Sequence, residues 1–121
     1  MISPELKNGG VNAVISVSWF NVPLDEDGAY IELPNHSDKT VHCFGTFGGG
    51  SITLYGSNDT RVVTDLANAS WVALKDIQGN VITMNAAGMA FIPDNPRYIK
   101  VTTTGGDGTT AISAVICAKR A

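Results

Sequence analysis

The chain has 121 residues, 44% of them hydrophobic and 16% charged, with a formal net charge of −3. That length suits one domain, which buries roughly two thirds of its unfolded surface and needs neither metal nor disulfide to complete a core. The negative balance offers no basic field to nucleic acid or to an anionic membrane, and no apolar run reaches the roughly 18 residues of a membrane-spanning helix.

The opening MISPELKNGG has no basic region followed by an apolar stretch, so it does not read as a signal peptide, and folding in a cytoplasm is expected. Residues 1–10 are expected to form an N-terminal arm, with Pro4 and Asn8-Gly9-Gly10 bracketing Glu5-Leu6-Lys7. Residues 11–121 are then the folded domain. Residues 11–22 place Val11, Ala13, Ile15, Val17 and Trp19 on one face and Asn12, Ser16 and Ser18 on the other, a period of two that predicts a strand. Val14 and Phe20 interrupt the polar face, so that face is expected to be partly covered as well.

Residues 23–28 (PLDEDG) form an acidic loop, and residues 29–34 a short strand closed by Pro34 and the turn Asn35-His36-Ser37-Asp38. Residues 39–47 predict a strand with Val41, Cys43 and Phe47 on one face and His42 and Phe44 on the other, broken by Gly48-Gly49-Gly50. Further strands are expected at 51–55, 61–66, 71–75, 81–84, 89–92, 97–103 and 109–119, with a helical turn at 65–70. The turns are Gln78-Gly79-Asn80, Asn85-Ala86-Ala87-Gly88, a proline corner at 93–96, and Gly105-Gly106-Asp107-Gly108 between the last two strands. Eight to ten short strands spaced about every ten residues predict an all-β, antiparallel β-sandwich in a single domain.

Nothing in the train predicts an enzyme, a cofactor or a metal site. His36 lies in a turn, and His42 cannot serve Cys43 because adjacent strand residues point to opposite faces. Asp25-Glu26-Asp27-Gly28 misses the calcium-loop spacing, and no CxxC or HxxxH pair suggests zinc. The Gly105–Gly108 turn lacks the Lys-Ser/Thr and helix of a phosphate loop. Arg97, Lys100, Lys119 and Arg120 lack the interleaved aromatics of a nucleic-acid surface. Three Asn-x-Ser/Thr triplets are what chance gives in so Asn- and Thr-rich a chain. Cys43 and Cys117 are expected to be free and largely buried. Trp19 and Trp71 are expected in the core, Trp71 because Val72, Ala73 and Leu74 beside it are all apolar. An exposed aromatic platform near residues 56–68 would point instead to sugar binding.

Several motifs resemble those of small phage structural proteins of the capsid cement, or decoration, type. They are Leu54-Tyr55-Gly56-Ser57-Asn58-Asp59, then Trp71-Val72-Ala73-Leu74 with Asp76 and Gly79-Asn80, then Pro96-Arg97-Tyr98-Ile99-Lys100, and Gly105-Gly106-Asp107-Gly108-Thr109-Thr110. The resemblance spans about the last 75 residues. It departs at Thr60, where the pattern has glycine, and in the extra residues before Trp71. It implies a jelly-roll-like sandwich, assembled in the host cytoplasm and carried on the virion. Its partners would be the major capsid protein and itself, as a dimer or trimer, with no nucleic acid and no membrane. The interface residues expected on that reading are Ile2, Leu6, Phe20, Phe44 and Tyr98. The same motifs also resemble discoidin-type sandwiches, which leaves a tail or fibre component, or a carbohydrate-binding module, as the alternative.

Overall fold

A computed structural model describes residues 1–8, 14–33 and 36–120. Ten strands lie within them: β1 (Glu5–Asn8), β2 (Val14–Val22), β3 (Ile31–Glu32), β4 (His36–Thr46), β5 (Ser51–Ser57), β6 (Val72–Ala73), β7 (Thr83–Met84), β8 (Gly88–Ile92), β9 (Tyr98–Thr104) and β10 (Ala111–Arg120). All strand pairings are antiparallel. One sheet runs β1-β2-β10-β4-β8 and the other β3-β9-β5-β6, with β7 also on β5. The protein is an all-β sandwich in one domain.

From β2 onward, consecutive strands lie in opposite sheets except within β5–β7. The glycine-rich turns serve these crossings. Gly48-Gly49-Gly50 carries the chain from β4 to β5, and the 105–108 turn carries it from β9 to β10, so neither closes a hairpin. The two crossings are tied together: the Thr110 hydroxyl donates to the Phe47 carbonyl at 3.0 Å. Gly48 has φ +58°, and a Cβ there would meet the Asp107 carboxylate at 2.6 Å, so glycine is favoured at this crossing.

Alternation fills the space between the sheets. Ile15, Val17 and Trp19 from β2, Val41 and Cys43 from β4, and Ile112, Ala114, Ile116 and Ala118 from β10 face Ile52 and Leu54 of β5 and Ile99 and Val101 of β9. The expected positions Val11 and Ala13, with the turn residues Pro34 and Asn35, lie outside the described residues. Asn21, at φ +55°, is an extra residue opposite Ser113, whose Oγ accepts its N–H at 3.0 Å. This bulge turns Val22 inward, where strict alternation would have sent it out.

Three local expectations are corrected. Residues 61–66 are not a strand: Arg61–Thr64 form a single helical turn, α1, followed by a 3-10 turn at Leu66–Asn68. Hydrogen bonds from Arg61 and Ser70 to the Asp59 carboxylate hold this segment in place of ladder hydrogen bonds. Residues 36–38 belong to β4, not to a turn. Cys117 is exposed while Cys43 is buried. Cys43 pairs with Ala114, and Cys117 with Thr40, so the thiols sit three residues apart on neighbouring strands and on opposite faces. No disulfide spans that arrangement. Burial pushes the Cys43 thiol up to about 12.

Two outcomes follow from this packing. Trp19 is fully buried and its indole N–H donates to Ala29 O at 2.8 Å, so Trp19→Ala should cost roughly 3–5 kcal/mol in chemical denaturation. Thiol titration should find two reactive groups per denatured chain but only Cys117 in the native one.

Candidate functional site

The five expected interface residues scatter. Ile2 packs against the core, its N–H donating to Asp27 O and its carbonyl accepting from Ala29 N. Residues 5–8, within the segment expected as an arm, are the edge strand β1 on β2. Leu6 pairs with Val17 at that edge and stays 56% exposed. Tyr98 is only 2% exposed; its ring meets Tyr30 edge-on at 5.6 Å and lies under the Arg97 guanidinium at 5.5 Å. Tyr98 is therefore covered by its own chain and is no anchor for a partner.

Phe20 and Phe44 are brought together. The ladder β2-β10-β4-β8 sets Val115 beside His42, and His42 beside Met89; it also sets Cys117 beside Thr40, and Thr40 beside Phe91. All point away from the core. The outer face of the five-stranded sheet therefore carries Phe20 (43% exposed), Phe44, Val115, Met89 (68%) and Phe91 (42%), with the His42 ring 5.0 Å from that of Phe44. Its charges include Glu5 and Lys7 on the edge strand β1 and Lys119 near the end of the central strand β10. Met89 and Phe91 were not among the expected interface residues; the signal that could have found them is that residues 89–92 are apolar at every position and so cannot all face inward.

The outer face of the second sheet is built differently. Tyr98 and Lys100 of β9 point outward there, and residues 58–71 lie alongside them. Asp59 organises that segment. Its carboxylate accepts from the Arg61 side chain at 2.7–3.1 Å, from Arg61 N at 2.9 Å and from Ser70 N at 2.8 Å. The Arg61 guanidinium, helped by the Ser70 N–H, holds the Asp59 carboxyl well below the usual carboxylate range. Ser57 Oγ donates to Ser70 O at 2.6 Å and closes the loop.

Trp71 corrects the expectation of a core tryptophan. Val72 beside it is exposed and only Leu74 enters the core. Trp71 is half-buried, with Lys100 Nζ 4.7 Å from its ring centre. Together with Tyr30, Asp27, Leu66 and Ala69 it lines a groove of about 530 Å³. Lys100 Nζ lies 3.7 Å from Asp27 Oδ2, and Asp27 Oδ1 accepts from the Thr102 hydroxyl at 2.7 Å. A lone Trp in a short apolar run gives no sign of such a groove; what builds it is the 58–71 segment folding over β9.

The remaining polar candidates are structural. Asp25 accepts from Gly105 N at 2.8 Å. Lys39 is buried on the inward side of β4, its Nζ donating to Asn95 Oδ1; burial lowers its pKa, and Asp94 and Asp38 oppose the shift. Among the described residues no group of three or more His, Cys, Asp or Glu is placed to hold a metal, and no helix is long and apolar enough to cross a membrane.

Asp59 gives a pH-dependent outcome. Its contribution is complete above the unfolded carboxyl value of about 3.9 and is lost as pH falls toward the depressed folded value. Asp59→Asn should melt below the parent protein at neutral pH, and the gap should close in acid, as the parent's own carboxyl protonates. Trp71→Ala should cost about 1 kcal/mol, as a partly exposed site does, well short of Trp19→Ala.

No protein-family model and no curated protein matches the chain. Among solved structures it is similar to the SPBc2 prophage-derived protein YomS, at 12% identity over 91% of this chain and 99% of that one, with a TM-score of 0.59. It is less similar to NMB1881 from Neisseria meningitidis (13% identity, 94% and 81% covered, TM-score 0.42) and to IMPa from Pseudomonas aeruginosa, solved with an O-glycopeptide (8%, 96% and 13%, TM-score 0.47). The last two are too distant in shape to bear on fold or function. The likeness to the prophage-derived protein is one of fold: both chains build this sandwich over nearly their whole lengths.

Proposed function

We propose that the protein is a phage capsid cement, or decoration, protein that docks on the head through the outer face of its five-stranded sheet and bridges major capsid subunits. The observation that carries this reading is the apolar patch formed by Phe20, Phe44, Val115, Met89 and Phe91. A soluble monomer seldom leaves such a set of large side chains uncovered on one flat face, and patches of this kind mark protein interfaces. The low charge of the chain and a fold shared with a prophage-derived protein support the same reading.

The mechanism is mechanical. A rigid sandwich laid across a joint between capsid subunits buries apolar surface from both, and separating the subunits then re-exposes it. A stable contact needs roughly 800 Å² from each partner, with the binding energy concentrated in a few aromatic anchors; Phe20 and Phe91 are suited to that role. The chemistry requires no catalytic group and no cofactor. Self-association as a dimer or trimer would let one unit span more than one joint.

Co-sedimentation with heads of the encoding phage tests the reading. The parent protein should pellet with the heads and raise their thermal rupture point. Phe20→Ser/Phe91→Ser should keep the parent's melting curve and lose both effects. Equal pelleting of the double variant would remove the face from the mechanism; electron microscopy that finds the protein on the tail fibres would overturn the cement function itself.

A further inference from the structure

We infer that the groove between residues 27–30 and residues 58–71 is a binding site for a neutral pyranose sugar. This goes beyond docking on a capsid, because the groove and the apolar patch lie on the outer faces of opposite sheets. A chain seated on a particle by the patch would turn the groove toward the medium.

The lining carries the two kinds of contact a pyranose needs. The ring C–H groups of a sugar form an apolar surface that packs on aromatic rings, and Trp71 and Tyr30 supply such rings here. Trp71 completes no core and is half-buried; Lys100 Nζ lies 4.7 Å from its ring centre, and the rest of the ring is open to a ligand. Sugar hydroxyls need both donors and acceptors. Lys100 Nζ donates and the Asp27 carboxylate accepts, and the two stand 3.7 Å apart. As an ion pair they sum to no net charge, which favours a neutral, hydroxyl-rich ligand over a phosphate or a carboxylate.

Both walls are fixed before any ligand arrives. The 27–30 wall is held by the Trp19 N–H on Ala29 O and by Gly28 N on Val101 O at 2.8 Å. The other is held by Asp59 and by the Ser57–Ser70 contact. A preorganised site loses little affinity to ordering. At about 530 Å³ the groove falls within the ~300–1,000 Å³ of small-molecule sites.

The test is a titration of the full chain with the methyl glycosides of glucose, galactose, mannose and N-acetylglucosamine, followed by 1H–15N NMR. At least one glycoside should give saturable shifts confined to residues 27–30, 66–71 and 98–102 and to the Trp71 indole. Asp27→Asn and Lys100→Met should each weaken that binding about tenfold, the loss of roughly 1.4 kcal/mol. Trp71→Ala should abolish it, and Met89→Ser, on the opposite face, should leave it unchanged. If no glycoside gives saturable shifts with the parent, or if Trp71→Ala and Asp27→Asn both bind as tightly as the parent, the inference is wrong.

Discussion

The burial of Trp19 is the contact on which the rest of the structure depends. Its indole fills the space between the sheets, and its one polar atom must find a partner there or leave a buried donor unsatisfied. Ala29 O provides it. The contact draws the 27–30 segment tightly onto the ring: a Cβ at Gly28 would sit 2.6 Å from Trp19 Cδ1 and 2.8 Å from a Val101 methyl. Glycine at position 28 is thus the condition for closing the sandwich at that corner. The same closure sets Asp27 and Tyr30 beside Lys100, and it gives Ile2 its backbone partners. One core residue thereby positions a surface groove and the start of the chain.

The sandwich presents two surfaces of unlike chemistry. One is largely apolar and built from strands whose register is fixed by the buried side of the same sheet, apart from the bulge at Asn21. The other is concave, mixes aromatic with charged groups, and depends on an irregular segment held by the Asp59 carboxylate and the Ser57–Ser70 hydrogen bond. A flat face suits a broad partner that covers it, and a concave one suits a small ligand. Because the core separates them, a change confined to one surface need not disturb the other.

The strands themselves were legible, because inward residues alternate and turns are marked by Gly, Asn, Asp and Pro. The buried series Ile15-Val17-Trp19 was traced in this way, and the strand that carries Ile112-Ala114-Ile116-Ala118 was expected at 109–119. Which sheet each strand joins could not. Period two says that a residue faces a core but not which of two facing sheets supplies it, so the crossings at Gly48–Gly50 and at 105–108 were visible only as turns. The 61–68 segment misled because Val62 and Val63 imitate a strand, while its conformation is decided by Asp59 bonding to Arg61 and Ser70. Trp71 misled for a related reason: apolar neighbours at 72–74 suggest two covered faces, but β6 is only two residues long and lies at the margin of its sheet. Of the expected interface residues, Phe20 and Phe44 share the apolar face, whereas Tyr98 looked outward by alternation and is covered by Tyr30 and Arg97.

Cys117 lies on the outer face between Ser16 and Thr40, two strands away from Phe91. Two copies that meet through that face bring two such thiols into one contact region, and oxidation can then join them if their Cα atoms come within about 7 Å. Purification in air without reductant would therefore leave a covalent record of face-to-face encounters, visible as a doubled band on a non-reducing gel. The buried partner thiol at Cys43 would take no part in it. A single exposed thiol thus makes the sheet face a recorder of its own collisions, and the handling conditions decide whether that record is written.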